Sequence, residues 1–255
     1  MIQTVFNRCE KKYLISRNQY NGLLDKIKDR MVEDEYGEHT VSNIYYDTHD
    51  NLLIRRSIEK PPYKEKLRLR SYGIPNPKST VFIEIKKKYA GIVNKRRISL
   101  PLEDAYAYLN DGIRPEMDSQ ILREIDFLLG RVKLLPALYL AYDRVAYLDR
   151  EEPDFRLTFD KNIRSRRDHV NLENGDRGEL LLDMDTFLME SKILGSVPLW
   201  FSAILAELKI YPASFSKYGS IYQKETLRNQ KLSIYNYGAC FVPGYRIENL
   251  SNGVT

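Results

Sequence analysis

Polar and apolar side chains alternate along several short segments of the chain, and a period of two residues is typical of β-strands. In the segment 63–72, every second residue from Lys64 to Arg70 is basic, and Leu67 and Leu69 occupy alternate positions. Comparable segments, separated by turn residues, predict further strands. The predicted strands cover residues 6–15, 42–48, 63–72, 80–89, 92–100, 137–148, 154–164, about 179–184 and 186–193.

Apolar residues at helical spacing predict helices between and after these strands. Ser16 is suited to cap a helix over 17–31, in which Leu23, Ile27 and Met31 share a face. The other predicted helices cover a short piece at 51–55, then 102–109, 118–129, 198–210 and 214–227. Because no low-complexity linker divides the chain, we expect one domain over 1–227. The C-terminal tail, 228–255, has no clear period and is left unassigned.

In seven of these strands the charged residues fall on one face and the apolar residues on the other. A polar face in contact with water explains any single strand. It explains the set less well, because Lys and Arg side chains stacked on neighbouring strands repel one another unless an anion lies between them. We therefore predict an α+β fold built on a closed antiparallel β-barrel, with a Lys- and Arg-lined interior and helices packed outside.

The net charge of +5 conceals a concentrated basic region. Between Lys64 and Arg97 the sequence has eleven Lys or Arg residues and two acidic ones, which gives +9 and leaves −4 for the rest of the chain. Such a region indicates a local anionic ligand, although a solvated basic surface has the same composition.

Several classes of protein are excluded by what the sequence lacks. The first twelve residues have no apolar core of the signal-peptide kind, and the longest apolar stretch, 134–142, is too short to cross a bilayer. The two cysteines and three histidines do not have metal-clip spacing, so a structural zinc site is not expected. We expect a cytoplasmic protein with no membrane segment in this chain. The absence of a G-x-x-x-x-G-K-[ST] motif excludes a P-loop enzyme.

Inward-facing Lys and Arg side chains would suit phosphate groups, which they bind by charge-assisted hydrogen bonds. Three carboxylates, those of Glu10, Glu84 and Glu190, fall on the same strand faces as the basic residues. Either a divalent cation lies between them and the phosphate oxygens, or each one pairs with a neighbouring Lys or Arg. Phosphoryl transfer depends mainly on positioning and charge neutralisation, so it requires no nucleophilic side chain.

Nine segments, in this order and spacing, resemble the polyphosphate-polymerase domain of the vacuolar transporter chaperone (VTC) family. That family belongs to the triphosphate tunnel metalloenzyme, or CYTH-like, superfamily. The segments are EKKYLIS (10–16), IYYDT (44–48), YKEKLRLRSYG (63–73), VFIEIKKK (81–88), VNKRRISL (93–100), LAYDRVAY (140–147), LTFDKNIR (157–164), LMESK (188–192) and SFSKYG (214–219). The similarity runs from about residue 5 to 222. It departs from the family pattern at Ser191, where an apolar, outward-facing residue is expected.

The resemblance implies roles for residues at matching positions. The basic lining that holds the phosphates and supports catalysis would be Lys12, Arg68, Arg70, Lys86, Lys95, Arg144, Arg156 and Lys217. Further substrate contacts would come from the hydroxyl groups of Tyr142 and Ser216, and the strand alternation adds Arg8, Lys66, Arg97 and Lys192. Glu190 would be the metal ligand and Glu10 a second one, and the alternation leaves Glu84 as a third candidate.

The function implied by the resemblance is transfer of the ATP γ-phosphate to a growing polyphosphate chain, with Mn²⁺ or Mg²⁺ as cofactor. One alternative is a triphosphatase or polyphosphatase of the same superfamily. Another is a non-catalytic sensor that binds polyphosphate or inositol phosphates. Nucleic acid is not expected as a partner, because inward charge in a narrow bore does not suit a duplex. The sequence leaves the oligomeric state open.

Overall fold

The computed structural model describes the backbone of residues 8–90 and 92–238, and the side chains of 10–90 and 92–230. The strands are β1 (Arg8–Ser16), β2 (Met31–Glu33), β3 (His39–Asp47), β4 (Tyr63–Tyr72), β5 (Thr80–Tyr89), β6 (Ile92–Pro101), β7 (Leu135–Asp149), β8 (Arg156–Arg166), β9 (Glu179–Leu180) and β10 (Thr186–Leu194). The helices are α1 (Arg17–Ile27), α2 (Leu52–Glu59), α3 (Leu102–Asp111), α4 (Gln120–Arg131), α5 (Leu199–Glu207) and α6 (Lys217–Gly238).

All ten strands join one antiparallel sheet, in the order β1-β10-β8-β7-β3-β4-β5-β6. The short strands β2 and β9 pair with β7 and β8 beside this path. The large mixed α and β architecture expected from the sequence is confirmed. β7, fifteen residues long, lies near the middle and pairs with β2, β3 and β8.

The sheet is not closed into a barrel, so the predicted closure is not confirmed. Among the described residues, β1 and β6 each pair with a single strand and not with one another. Part of the outer edge of β1 pairs with a loop residue instead of a strand. The backbone N–H of Ala213 donates to the Lys12 carbonyl over 2.7 Å. The chain that leads into α6 therefore lies where a closing strand would have to pair.

The face of the sheet that carries the apolar residues is covered by helices. On one flank, α3 and α4 pack on β4, β5 and β6 in a cluster that contains Leu67, Leu69 and Ile83. On the other flank, α1 and α5 pack on β1, β8 and β10 around Tyr13 and Phe159. Burial of each large apolar side chain contributes about 1.5–3 kcal/mol to folding. These clusters confirm which face the alternating pattern turns toward the helices.

A third cluster lies on the opposite face, where the strands carry their charged residues and which we call the charged face. There α6 packs its residues Tyr218 and Ile221 on Leu140 of β7 and Leu188 of β10. The expectation that the helices pack outside therefore holds for α1, α3, α4 and α5 but not for α6. The charged face also carries apolar residues, and α6 covers them. A water-filled tunnel would have left these residues exposed.

Most element boundaries differ from the sequence prediction by a few residues, and β2 was not predicted. The helix expected over 17–31 ends at Ile27, and Met31 begins β2, where it stays in the same buried cluster. The strand expected at 179–184 has only two residues. Helix α6 continues to Gly238, past the boundary expected at residue 227. The rest of the unassigned tail, 239–255, lies outside the described residues. Within the described part, no helix is both long and apolar enough to span a membrane.

Candidate anion-binding site

The strand register brings basic residues from different strands into rows on the charged face. Lys66 of β4 lies opposite Lys86 of β5, which in turn lies opposite Lys95 of β6. The next row on the same face contains Arg68, Glu84 and Arg97. Antiparallel pairing fixes these rows, because residues opposite one another in a sheet project to the same side.

Glu84 is a buried carboxylate that holds three of the cations. Its Oε2 lies 2.6 Å from Arg68 Nε and 3.7 Å from Arg70 Nε, and its Oε1 lies 2.8 Å from Lys95 Nζ. Burial alone would raise the pKa of Glu84, but Arg68, Arg70 and Lys95 lower it to about 2. Of the two alternatives left open by the sequence for this residue, the geometry favours ion pairing.

A second buried carboxylate, Asp160 on β8, holds the cations of the other flank. Arg144 donates to it twice, from Nε over 2.6 Å and from Nη2 over 2.8 Å. Lys217 Nζ, from the first residue of α6, donates to its Oδ2 over 2.5 Å. Burial would raise the pKa of Asp160, but Arg144 and Lys217 lower it below its ordinary value. Asp160 thus fixes the direction of both side chains.

Glu190 on β10 lies among three lysines. Its Oε1 is 3.6 Å from the Nζ atoms of Lys12 and Lys217, and its Oε2 is 3.7 Å from Lys192 Nζ. Burial raises the pKa of Glu190, but these lysines outweigh it, so the pKa lies well below the ordinary value. The separations exceed hydrogen-bond length, so the attraction is between charges and its carboxylate oxygens remain suited to a further ligand.

The carboxylates fit a metal only in part. Within the described residues, no group of three or more His, Cys, Asp or Glu side chains is arranged to hold an ion. Mg²⁺ in phosphate-binding sites is commonly held by one or two carboxylates, with phosphate and water oxygens completing the shell. Glu190 and Glu10 are the pair that could supply those carboxylates, and both also face Lys12, whose Nζ lies 3.6 Å from the first and 3.8 Å from the second.

Tyrosine side chains connect the two carboxylate groups. The Tyr142 hydroxyl accepts a hydrogen bond from Arg70 Nη2 over 3.2 Å, and its ring lies 4.4 Å from Lys217 Nζ. The Tyr45 hydroxyl accepts from Arg68 Nη1 over 3.1 Å. Burial alone would raise the pKa of Tyr45, but Arg68 and Lys66 lower it to about 8. Burial would raise the pKa of Tyr142 as well, but neighbouring cations lower it, so both phenols lie between cations that would otherwise meet directly and are themselves influenced by that positive charge.

The start of α6 reaches both flanks of the charged face. Lys66 Nζ of β4 donates to Ser216 Oγ over 3.4 Å, while Lys12 Nζ of β1 donates to the Phe215 carbonyl over 3.2 Å. Because Lys217 contacts Asp160 and Glu190, this helix end joins side chains of β1, β4, β8 and β10 at one place.

The family model described as the VTC domain matches residues 7–225, which is most of the chain. This chain belongs to the VTC domain family. A search of curated proteins gave no match. Among solved structures, a putative adenylate cyclase from Bacillus halodurans matches with a TM-score of 0.52 and 16% identity, over 81% of this chain and 92% of that chain.

A second structure that resembles this VTC domain is a putative adenylyl cyclase from Hippeastrum, described as having a dominant triphosphatase activity. It matches with a TM-score of 0.51 and 15% identity, over 84% of this chain and 95% of that chain. At such low identity both structures support the fold alone.

Some sequence-predicted residues of the VTC domain lie away from the two carboxylate groups. Arg156, the first residue of β8, donates from Nη2 to Asp34 Oδ2 over 2.8 Å. The Arg97 guanidinium lies 4.8 Å from the centre of the Phe82 ring. The side chain of Arg8 lies outside the described part of the chain.

Sequence reasoning missed three residues that support the candidate site: Asp160, Tyr45 and Asn43. Asn43 Oδ1 accepts from Arg70 Nε over 3.0 Å. Tyr45 and Asn43 lie on β3, whose interior carries no charged residue, so an alternation of charges gives no signal for them. Strand alternation places Asp160 on the same face as Arg156 and Thr158. A carboxylate among basic residues on one strand face could therefore have identified it.

Ser191, the departure from the family pattern, is buried in the VTC domain on the face opposite Glu190. Its Oγ makes no hydrogen bond within the described structure. The polar group therefore costs stability without disturbing the side chains at either neighbouring position.

Proposed function

We propose that this VTC domain is a polyphosphate polymerase, which transfers the γ-phosphate of ATP to the end of a polyphosphate chain. The observation that carries the proposal is the excess of cations on the charged face. Around the two buried carboxylates Glu84 and Asp160, nine of its cations, Lys12, Lys66, Arg68, Arg70, Lys86, Lys95, Arg144, Lys192 and Lys217, accompany four of its carboxylates, Glu10, Glu84, Asp160 and Glu190. The excess of five charges on side chains from several strands suits a linear anion with a charge on each unit.

The reaction needs little covalent chemistry from the protein. A terminal phosphate oxygen of the acceptor chain attacks the γ-phosphorus, the bond from that phosphorus to the β,γ-bridging oxygen breaks, and ADP leaves. Arg68, Arg70 and Arg144 would neutralise the phosphate oxygens during transfer, since their guanidinium groups are oriented by buried carboxylates. A Mn²⁺ or Mg²⁺ ion held by Glu190 and Glu10 would supply further neutralisation of phosphate charge. A cytoplasmic location, where ATP is abundant, remains a prediction.

The proposal is tested by incubating the protein with ATP and Mn²⁺ and resolving the products by gel electrophoresis and by ADP release. We expect ADP together with phosphate chains of increasing length. Lys66→Met should lower the rate at least about tenfold, because it removes a cation from the row. Lys28→Met, an exposed lysine after α1, is the matched control and should leave the rate unchanged. Absence of ADP with any divalent metal would contradict the proposal.

A triphosphatase is the second candidate, and it is favoured by the activity described for the similar Hippeastrum protein. The same cations would bind the triphosphate, with water in place of the acceptor phosphate. Release of inorganic phosphate without longer chains would identify this activity. Tight binding of polyphosphate or inositol phosphates without turnover would instead indicate the sensor.

A further inference from the structure

An aromatic row lies at one end of the charged face, beside the proposed phosphate site. It consists of Tyr36, His39, Tyr72 and Phe82, with Arg97 at its end. The ring centres are 6.5 Å apart between Tyr36 and His39, 5.7 Å between His39 and Tyr72, and 5.7 Å between Tyr72 and Phe82. The Arg97 guanidinium lies 4.8 Å from the Phe82 ring centre.

The register places this row on the same face as the phosphate-binding cations. Phe82 lies directly opposite Arg70, and Tyr72 follows Arg70 by two residues on β4. His39 lies opposite Arg144. Two residues of a strand span about 6.8 Å, so Tyr72 and Arg70 project from neighbouring positions on this face of β4.

The aromatic row is not part of the apolar cores. Within the described residues, none of the four rings contributes to the three buried clusters. Tyr36 is 70% exposed and Tyr72 is 50% exposed. The rings meet edge to face, with interplanar angles of 66° to 77°, rather than stacking on one another. This geometry leaves ring surface available for another planar group.

We propose that the aromatic row binds the base of a nucleoside triphosphate, while its phosphates lie along the cations that begin at Arg70. This inference rests on the proposed function, and it names the part of the site that distinguishes a nucleotide from an inorganic phosphate chain. Nucleobases stack on aromatic rings and on guanidinium planes, and such stacking accepts every base because each has a π-face. The row should therefore favour nucleotides as a class and select only weakly between bases.

The test compares two ligands by isothermal titration calorimetry: ATP and inorganic tripolyphosphate, both without divalent metal so that turnover does not interfere. Tyr72→Leu removes the ring but keeps an apolar side chain. We expect it to weaken ATP binding about tenfold and to leave tripolyphosphate binding unchanged. Tyr72→Phe keeps the ring and should bind ATP like the unaltered protein.

Tyr89→Leu is the matched control, because Tyr89 is an exposed tyrosine at the other end of β5 and on the opposite face. It should leave the affinity for both ligands unchanged. Equal weakening of ATP and tripolyphosphate by Tyr72→Leu, or no effect on either, would overturn the nucleobase site and leave the proposed function standing. If the unaltered protein binds neither ligand, the proposed function fails, and the nucleobase site fails with it.

Discussion

Buried carboxylates determine how the basic side chains of the charged face are arranged. Glu84 and Asp160 are both almost inaccessible to solvent, and each fixes an arginine through short charge-assisted hydrogen bonds. A buried charge is costly unless it is paired, and here the pairing also limits repulsion between neighbouring cations. The ligand-free site is thus partly neutralised by its own acidic residues, and the arginines are oriented before any anion binds.

Replacing Glu84 with Gln tests this arrangement. The variant leaves Arg68, Arg70 and Lys95 without their buried counter-charge, so the free energy of unfolding should fall by about 3–5 kcal/mol. Saturating tripolyphosphate should recover much of that loss, because the ligand supplies negative charge to the same cations. Urea unfolding with and without the ligand measures both effects.

Glu59→Gln, at an exposed position at the end of α2, is the control for this experiment and should change stability by less than about 0.5 kcal/mol. If Glu84→Gln unfolds at the same urea concentration as the unaltered protein, the ion pairs do not stabilise the site.

The proposed phosphate binding should depend on pH through two lysines, Lys66 and Lys95, and through Tyr45, whose pKa of about 8 places its loss of a proton in the same range. Burial lowers the pKa of Lys66 and of Lys95 to about 8, against about 10.4 in an unfolded chain. Between about pH 8 and about pH 10.4 these lysines bind more protons in the unfolded chain than in the folded protein. The contribution of the two lysines to the free energy of unfolding therefore rises with pH over this range. Their positive charge is lost over the same range. Lys95 is the more exposed of the two, and solvent screening reduces its share.

We therefore expect tripolyphosphate affinity to fall at least about tenfold between pH 7.5 and 9.5, because a hydrogen bond to a charged group contributes about 1.5–3 kcal/mol. Calorimetric titration across this range gives the profile. A variant with both Lys66→Arg and Lys95→Arg keeps its charge at all these pH values and should show a flatter curve. An equally steep fall in that variant would assign the pH dependence to other groups.

At the scale of whole elements, the alternating pattern predicted which residues of each strand lie on the apolar face and which on the charged face. It did not predict which strand edges would pair. It predicted β4 and β5 with their observed bounds, and it predicted the apolar cores beneath the helices. It did not show that the segment before α6 would occupy an edge of β1, because that contact is a backbone hydrogen bond without a sequence signal. The cations were predictable from charge, whereas Tyr45 and Asn43 act through hydrogen bonds that depend on register.

Helix α6 is fixed on the charged face by a hydrogen bond at its start. The Tyr218 hydroxyl donates to Asp47 Oδ2 over 3.1 Å, and that carboxylate also accepts from the backbone N–H groups of Leu53 and Ile54 at the start of α2. Burial and Asp47 raise the pKa of Tyr218, which therefore stays protonated as a donor. Lys217 precedes it, so the tyrosine helps to hold the backbone from which the Lys217 side chain reaches Asp160.

Tyr218→Phe removes the hydroxyl group and keeps the ring. We expect the affinity for tripolyphosphate to fall several-fold, because Lys217 loses its fixed position, and stability to fall by about 1–3 kcal/mol. In a Lys217→Ala background the same change should have no further effect on affinity, since the lysine that it positions is absent. Independent, additive effects would show that Tyr218 supports the fold only. Tyr211→Phe, at an exposed tyrosine before α6, is the control.

For the molecule as a whole, the open sheet has a mechanical consequence. Its two flanks rest on separate apolar cores, one under α3 and α4 and the other under α1 and α5. A change in the gap between β1 and β6 would break neither core. It would mainly strain the few polar contacts at the start of α6, each of which contributes about 1 kcal/mol. The gap between β1 and β6 can therefore change more easily than either apolar core. A polyanion bound to cations of both flanks would hold the two flanks at a fixed separation.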